Sequence, residues 1–186
     1  MGASVAEEAL VFGHTVEAFL SRTLRGQLTP KAIARLQAIG FSPTGPWLPA
    51  YPRDKWFAVL AVVAQEVFPG RNPSDAYREM GRKIITSYQE TIVGKALFAA
   101  LRVLPTKRIL ERMARNFRTS NNYTTVEMVN VGPTSAELLF NVVEPEPTFT
   151  QGILEAGFPA AGVRGVTVKL LGLQGTSARF AVSWAA

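Results

Sequence analysis

The chain has 186 residues, 47% hydrophobic and 18% charged, which suits one compact domain and excludes a disordered charged tail. It has no cysteine and one histidine, His14, so disulfides, cysteine-based zinc and iron–sulfur sites, thiol catalysis, cysteine acylation and multi-histidine metal centres are excluded. Lys and Arg number 20 against 14 Asp and Glu, a formal charge of +6, and residues 71–118 hold eleven of the bases with only four acids.

The opening MGASVAEEALVFG lacks a basic leader and a long apolar core, and Gly2 lacks the Ser or Thr of a myristoylation signal. Residues 5–13 fit a short strand or an early helix. Val16, Phe19, Leu20 and Leu24 then recur at helical spacing. Thr29-Pro30 is an N-cap followed by proline, opening a short helix that stops at Gly40. FSPTGPWLPAYP, with four prolines, is expected as an ordered loop packed on the body through Trp47, Leu48 and Tyr51.

Arg53 or Asp54 starts an apolar helix ending near Val67. Its apolar run is broken by Gln65 and Glu66 and is too short to span a bilayer, so a non-transmembrane, cytoplasmic protein is expected. Asn72-Pro73 repeats the cap signature before a long helix with Tyr77, Met80, Ile84, Ile85 and Tyr88 on one face. Thr91 or Gly94 breaks it, a second helix runs to Leu104, and Thr106 is expected to cap a basic helix to about Arg118.

After Tyr123 the period changes to two. Residues 124–131 and 136–143 read as a hairpin around Gly132-Pro133, and 166–171 with 178–184 as a second one. Between them 148–160 reads as a helix with Phe149, Ile153, Leu154 and Phe158 inward, weakened by Gly152 and Gly157. The fold class is therefore α+β in one domain, 1–186. A helical part (about 1–120) precedes β-β-α-β-β (about 121–186) with a four-stranded antiparallel sheet.

No phosphate-binding loop is present, and no carboxylate pair sits in an apolar context suited to acid–base work. An enzyme is not expected, unless Arg82, Tyr88 and Tyr123 converge in a cleft. Two constellations remain. Arg108, Arg112 and Arg115 fall at i, i+4, i+7 on one helix face, flanked by Lys107 and Arg118, and such forks suit phosphate or carboxylate; Arg82 joins them as an anion-binding or partner residue. An ordinary solvated amphipathic helix explains that stripe as well. It has no interleaved aromatics, which disfavours sequence-specific nucleic-acid binding. Trp47, Tyr51, Trp56, Tyr88, Phe98, Phe117 and Tyr123 could line an apolar ligand pocket between helices and sheet, or simply fill the core.

Several segments carry a resemblance: LQAIGFSPTGPWLPAYPRDKW, VFPGRNPSDAYREMGRKIITSYQETIVGKAL, LPTKRILERMARNFRTSNNYTTVEM, TFTQGILEAGFPAAGVRGVTVKL and ARFAVSW. The ordered features are Y-P-x-x-x-W, a P-G before a helix with G-R, T-x-x-G-x-x-L, a basic helix ending in N-N-Y, and a terminal V-S-W. Together they resemble a paralogous family of unknown function expanded in myxobacteria. The element order is also similar to the superfamily that joins heme-based nitric-oxide sensors, four-vinyl-reductase sensor domains and the TRAPP tethering subunits. That resemblance implies a hydrophobic ligand held between helices and sheet, or a dimer. It does not carry over a heme ligand, because 106–118 has no histidine; the hairpin reads NVGPTSAELLF rather than Tyr-x-Ser-x-Arg; and the zinc or acylation cysteines are absent. No cofactor is expected. The leading expectation is a non-enzymatic sensory module for a small apolar or amphipathic ligand. The alternative is a dimeric interaction module docking an anionic partner through its basic face over 102–118.

Overall fold

The computed structural model describes residues 8–143 and 145–186; the part of the expected first element that precedes Glu8 lies outside them. Strand β1 (Leu10–Phe12) runs into helix α1 (Gly13–Glu17), which widens into a π-helical segment over Ala18–Thr23. Helices α2 (Pro30–Ala38), α3 (Arg53–Val67), α4 (Pro73–Gln89), α5 (Ile92–Arg102) and α6 (Thr106–Asn116) follow, with strand β2 (Ala50–Pro52) between α2 and α3. Strands β3 (Val126–Gly132) and β4 (Ser135–Phe140), helix α7 (Pro147–Ala160), and strands β5 (Thr167–Gln174) and β6 (Ser177–Ser183) complete the chain.

The expected caps form at two helices, and Thr91, expected only as a break, caps a third. Thr29 Oγ1 accepts from Ala32 N at 3.1 Å, Asn72 Oδ1 from Asp75 N at 2.9 Å, and Thr91 Oγ1 from Gly94 N at 2.9 Å. Thr106 is not a cap: Pro105 takes that position without a side-chain bond, and Thr106 is the first helical residue. The proline-rich loop ends in β2, which pairs antiparallel with β1 through Val11 and Tyr51. Strands of three residues leave too little periodicity to be read from sequence.

The larger sheet is antiparallel with order β3-β4-β6-β5. Ala136, Leu138 and Phe140 alternate inward on β4, and Ala178, Phe180 and Val182 on β6. They form one core with Leu110 of α6 and Phe158 of α7. A second core lies among the N-terminal helices, around Phe19, Leu20, Trp56, Leu60 and Met80. Helix α7 serves both, giving Phe149 to the helical core and Leu154 and Phe158 to the sheet core.

The two cores are joined where α4 crosses α7. A Cβ on Gly81 would stand 2.1 Å from Phe149 O, and one on Gly152 2.0 Å from Arg78 O. Each glycine thus admits the other helix's backbone. Gly152 is the seat of a close helix crossing, not a weakness in α7, and Ile153 beside it is only half buried.

Candidate functional site

The seven aromatic residues expected to line one pocket are divided among four places. Tyr51 and Trp56 are buried in the helical core, where Tyr51 packs tilted against Phe41 at 4.8 Å and Trp56 meets Phe19 edge-on at 5.2 Å. The Tyr51 hydroxyl accepts from Leu48 N at 2.9 Å, which ties the proline-rich loop down. Phe98 is buried in the sheet core, with half-buried Tyr88 edge-on to it at 6.2 Å. Phe117 packs on Phe140 at 5.0 Å, and Phe140 on Phe180 at 5.5 Å, so aromatic rings fill the space between α6 and the sheet. Tyr123 lies under the Arg53 guanidinium, 5.8 Å from its ring centre. Trp47 alone faces an open cleft. Its volume is about 500 Å³, with Leu20, Leu24, Leu28, Ile33 and Pro43 as apolar walls and Arg25 among the lining residues. A second surface cleft, of about 640 Å³, lies between Arg102 and Arg164 beyond the end of α7.

The arginines also divide. Arg82 and Arg78 both bind Glu155 across the α4–α7 crossing, Arg82 Nη2 donating to Oε2 at 2.7 Å and Arg78 Nε to the same oxygen at 2.9 Å. Burial pushes the Glu155 carboxyl up, and the hydrogen bonds from Arg78 and Arg82 outweigh it, so the net direction is below its ordinary value. Arg82 is therefore a structural clasp, not a free anion site. Sequence reasoning missed Glu155 because its partners are on another helix, more than seventy residues earlier. Arg82, Tyr88 and Tyr123 each engage a different neighbour and do not share a cleft.

The α6 stripe is as the spacing requires. Ile109, Leu110, Met113 and Ala114 face inward, while Lys107, Arg108, Arg112 and Arg115 stand exposed, with exposed Arg118 just beyond. Arg108 donates to Glu111 at 3.0 Å. Among the described residues no carboxylate pairs with Lys107, Arg112, Arg115 or Arg118. Arg35, Arg78, Arg82 and Arg179 elsewhere all find a glutamate.

The N-N-Y at the end of the basic helix is a staple. Asn121 Oδ1, buried, accepts from Tyr123 N at 3.1 Å and Thr124 N at 2.7 Å. Asn122 Oδ1 accepts from Leu10 N at 2.8 Å, its Nδ2 donates to Glu8 O at 2.9 Å, and Phe12 N donates to Ser120 O at 2.9 Å. His14 joins this seam, exposed on α1 with Nε2 donating to Thr119 O at 3.0 Å.

These residues do not fit a heme. The chain's single histidine is engaged on the surface, and no histidine stands on α6. The inner side of β4 is Ala136, Leu138 and Phe140, with Phe140 locked between two other rings. Among the described residues no cluster of His, Cys, Asp or Glu could hold a metal ion, and no helix is long and apolar enough to cross a membrane.

The fold is similar to that of solved H-NOX domains. One is an oxygen-binding H-NOX domain related to soluble guanylate cyclases, in its oxygen complex: 16% identical, TM-score 0.67, covering 94% of this chain and 95% of that one. A mutant H-NOX of T. Tengcongensis gives 15% identity and a TM-score of 0.69 over 94% and 97%. A Cs H-NOX mutant carrying 4-cyano-L-phenylalanine gives 15% and 0.68 over the same shares. At such identities the likeness is one of fold alone. No curated protein matches the chain. The family model for the protein of unknown function DUF2378 matches residues 9–185, and the chain belongs to that family.

Proposed function

We propose that the chain is a non-enzymatic, cytoplasmic regulatory module on an H-NOX-like fold that docks an acidic protein surface through the arginine face of α6. The observation that carries this reading is the contrast among its arginines. Those at the α4–α7 crossing are paired with Glu155, while Arg112, Arg115 and Arg118 are exposed and unpaired among the described residues. Guanidinium forks on a rigid helix suit carboxylates on a partner. The same charge argues against a homodimer through this face, since two copies would oppose like charges. The experiment is a titration with a fluorescent poly-glutamate peptide at two salt concentrations. Wild type binds, more weakly at high salt, and Arg112→Glu with Arg115→Glu weakens binding at least about tenfold. Equal binding by the double variant overturns the reading.

The Trp47 cleft favours a second reading, a sensory module for a small amphipathic ligand. Leu20, Leu24, Leu28 and Ile33 offer an apolar wall and Arg25 a cation for an anionic head group. The site is then beside α2 and the proline-rich loop, not between helices and sheet. Dodecanoate should change the tryptophan fluorescence of wild type, and Trp47→Phe should remove the change. An unchanged spectrum refutes this placement.

A further inference from the structure

Helix α5 turns Gly94, Phe98 and Leu101 inward. The opposite face is apolar too. Ile92 is 88% exposed, Val93 67% and Val103, just past the helix end, 83%, and Ala96, Ala99 and Ala100 between them are also exposed. At 100° per residue these six positions occupy an arc of about 120°, and the stripe runs about 17 Å along the axis. Lys95 and Arg102 fall together on one border of that arc. Only Val103, Leu104 and Pro105 separate α5 from α6, whose exposed bases continue the positive charge.

Isolated exposed apolar residues need no explanation, but six on one helix face form an unpartnered stripe. Three occupants are open to it. A second copy would bring Lys95 and Arg102 against a surface of the same sign. A membrane-surface helix uses Trp, Phe or Leu, and the exposed arc has none; its centre is alanine. Alanines between two β-branched ends make a shallow saddle that lets another helix approach closely. The basic border selects the sign of that helix's flank.

We infer that the exposed face of α5 is a docking groove for an amphipathic helix of a partner protein, with apolar residues on its contact stripe and carboxylates along the flank that meets Lys95 and Arg102. This rests on the docking reading above for the sign of the partner and adds the apolar half of the contact. It also makes α5 and α6 one bipartite surface.

The test uses the full chain and two synthetic peptides of equal length and negative charge. One is a helix with a leucine stripe and glutamate flanks, and in the other the leucines are replaced by glutamine. The key variant is Ile92→Lys with Val103→Lys. It removes the apolar ends and raises the positive charge. It touches only side chains exposed by 83% or more, so its melting curve should match wild type. Wild type is expected to prefer the amphipathic peptide by at least about tenfold, and the variant to lose that preference while still binding the glutamine peptide. Amide exchange should show protection on α5 in the amphipathic complex. If wild type binds both peptides equally and the variant binds as well or better, the inference fails while the α6 reading stands. If wild type binds neither, both fall. Phosphatidylserine-vesicle binding that the variant loses, with peptide binding unchanged, overturns the inference in favour of a membrane. A wild-type dimer that the variant splits overturns it in favour of a second copy.

Discussion

Gly152→Ala provides the sharpest test of how the two cores are held together. The new Cβ would lie 2.0 Å from Arg78 O and 2.9 Å from Arg78 C, both backbone atoms of α4. A carbon–oxygen contact needs about 3.3 Å, so the helices must part by about 1.3 Å. A close-packed crossing does not deform at so small a cost, and overpacking of this kind costs about 1–3 kcal/mol. Separation also lengthens the Arg78 and Arg82 bonds to Glu155, which adds about 1 kcal/mol, while alanine returns about 1 kcal/mol of helix propensity. The net loss is roughly 1–3 kcal/mol, a fall in Tm on the order of 2–12 °C for a chain of this size. Gly157→Ala is the matched control on the same helix. Its nearest contact is the Met113 Cε tip at 2.5 Å, with Ile85 Cδ1 next at 3.9 Å, and a thioether tip can swing aside. That variant should stay within about 1 kcal/mol of wild type. Both would be measured by thermal and urea unfolding. A Gly152→Ala protein as stable as wild type, or no less stable than Gly157→Ala, refutes the close-crossing argument.

Glu155→Gln removes the acceptor of both arginines and should cost on the order of 1–2 kcal/mol at neutral pH, since the clasp is only partly buried. The folded Glu155 carboxyl lies below its ordinary value of 4.5, so its contribution is present above that value and is lost as pH falls through the folded one. The gap between wild type and variant should therefore narrow on acidification, and a gap that stays constant from about pH 7 to about pH 3 refutes the clasp. Asn121→Ala leaves Tyr123 N and Thr124 N without their acceptor and should cost about 1–3 kcal/mol. Amide exchange should then quicken along β1, and a variant with unchanged β1 protection sinks the staple. Gly94→Ala would set a Cβ 1.9 Å from Tyr88 O and should unseat α5, lowering Tm and exposing Phe98; an unchanged Tm would show that the α4–α5 junction is not tight.

What could be read from the sequence was set by the range of the interaction. Caps act over three residues, so Thr29 and Asn72 announced their helices, while Thr91 was legible only as a break, and period-two alternation announced both hairpins. The α6 stripe was legible for the same reason, since helical spacing alone places its arginines on one face. The aromatic residues were legible as pocket or core candidates but not as to where they meet, because pairs such as Phe117–Phe140 and Phe19–Trp56 depend on tertiary packing. Gly152 and Glu155 were misread or missed because their meaning lies on α4: an intrinsic propensity ranks glycine as a cost, and only a second backbone at the same point turns it into a requirement. The same holds for α5. Its sequence, IVGKALFAALR, is apolar on two sides of the Lys95–Arg102 border, so period alone does not tell which side is buried. The structure buries the side that carries Phe98 and Leu101 and leaves the other in water. A helix that is apolar on two sides, of which its own chain covers one, is the physical reason to look for its missing neighbour on another molecule.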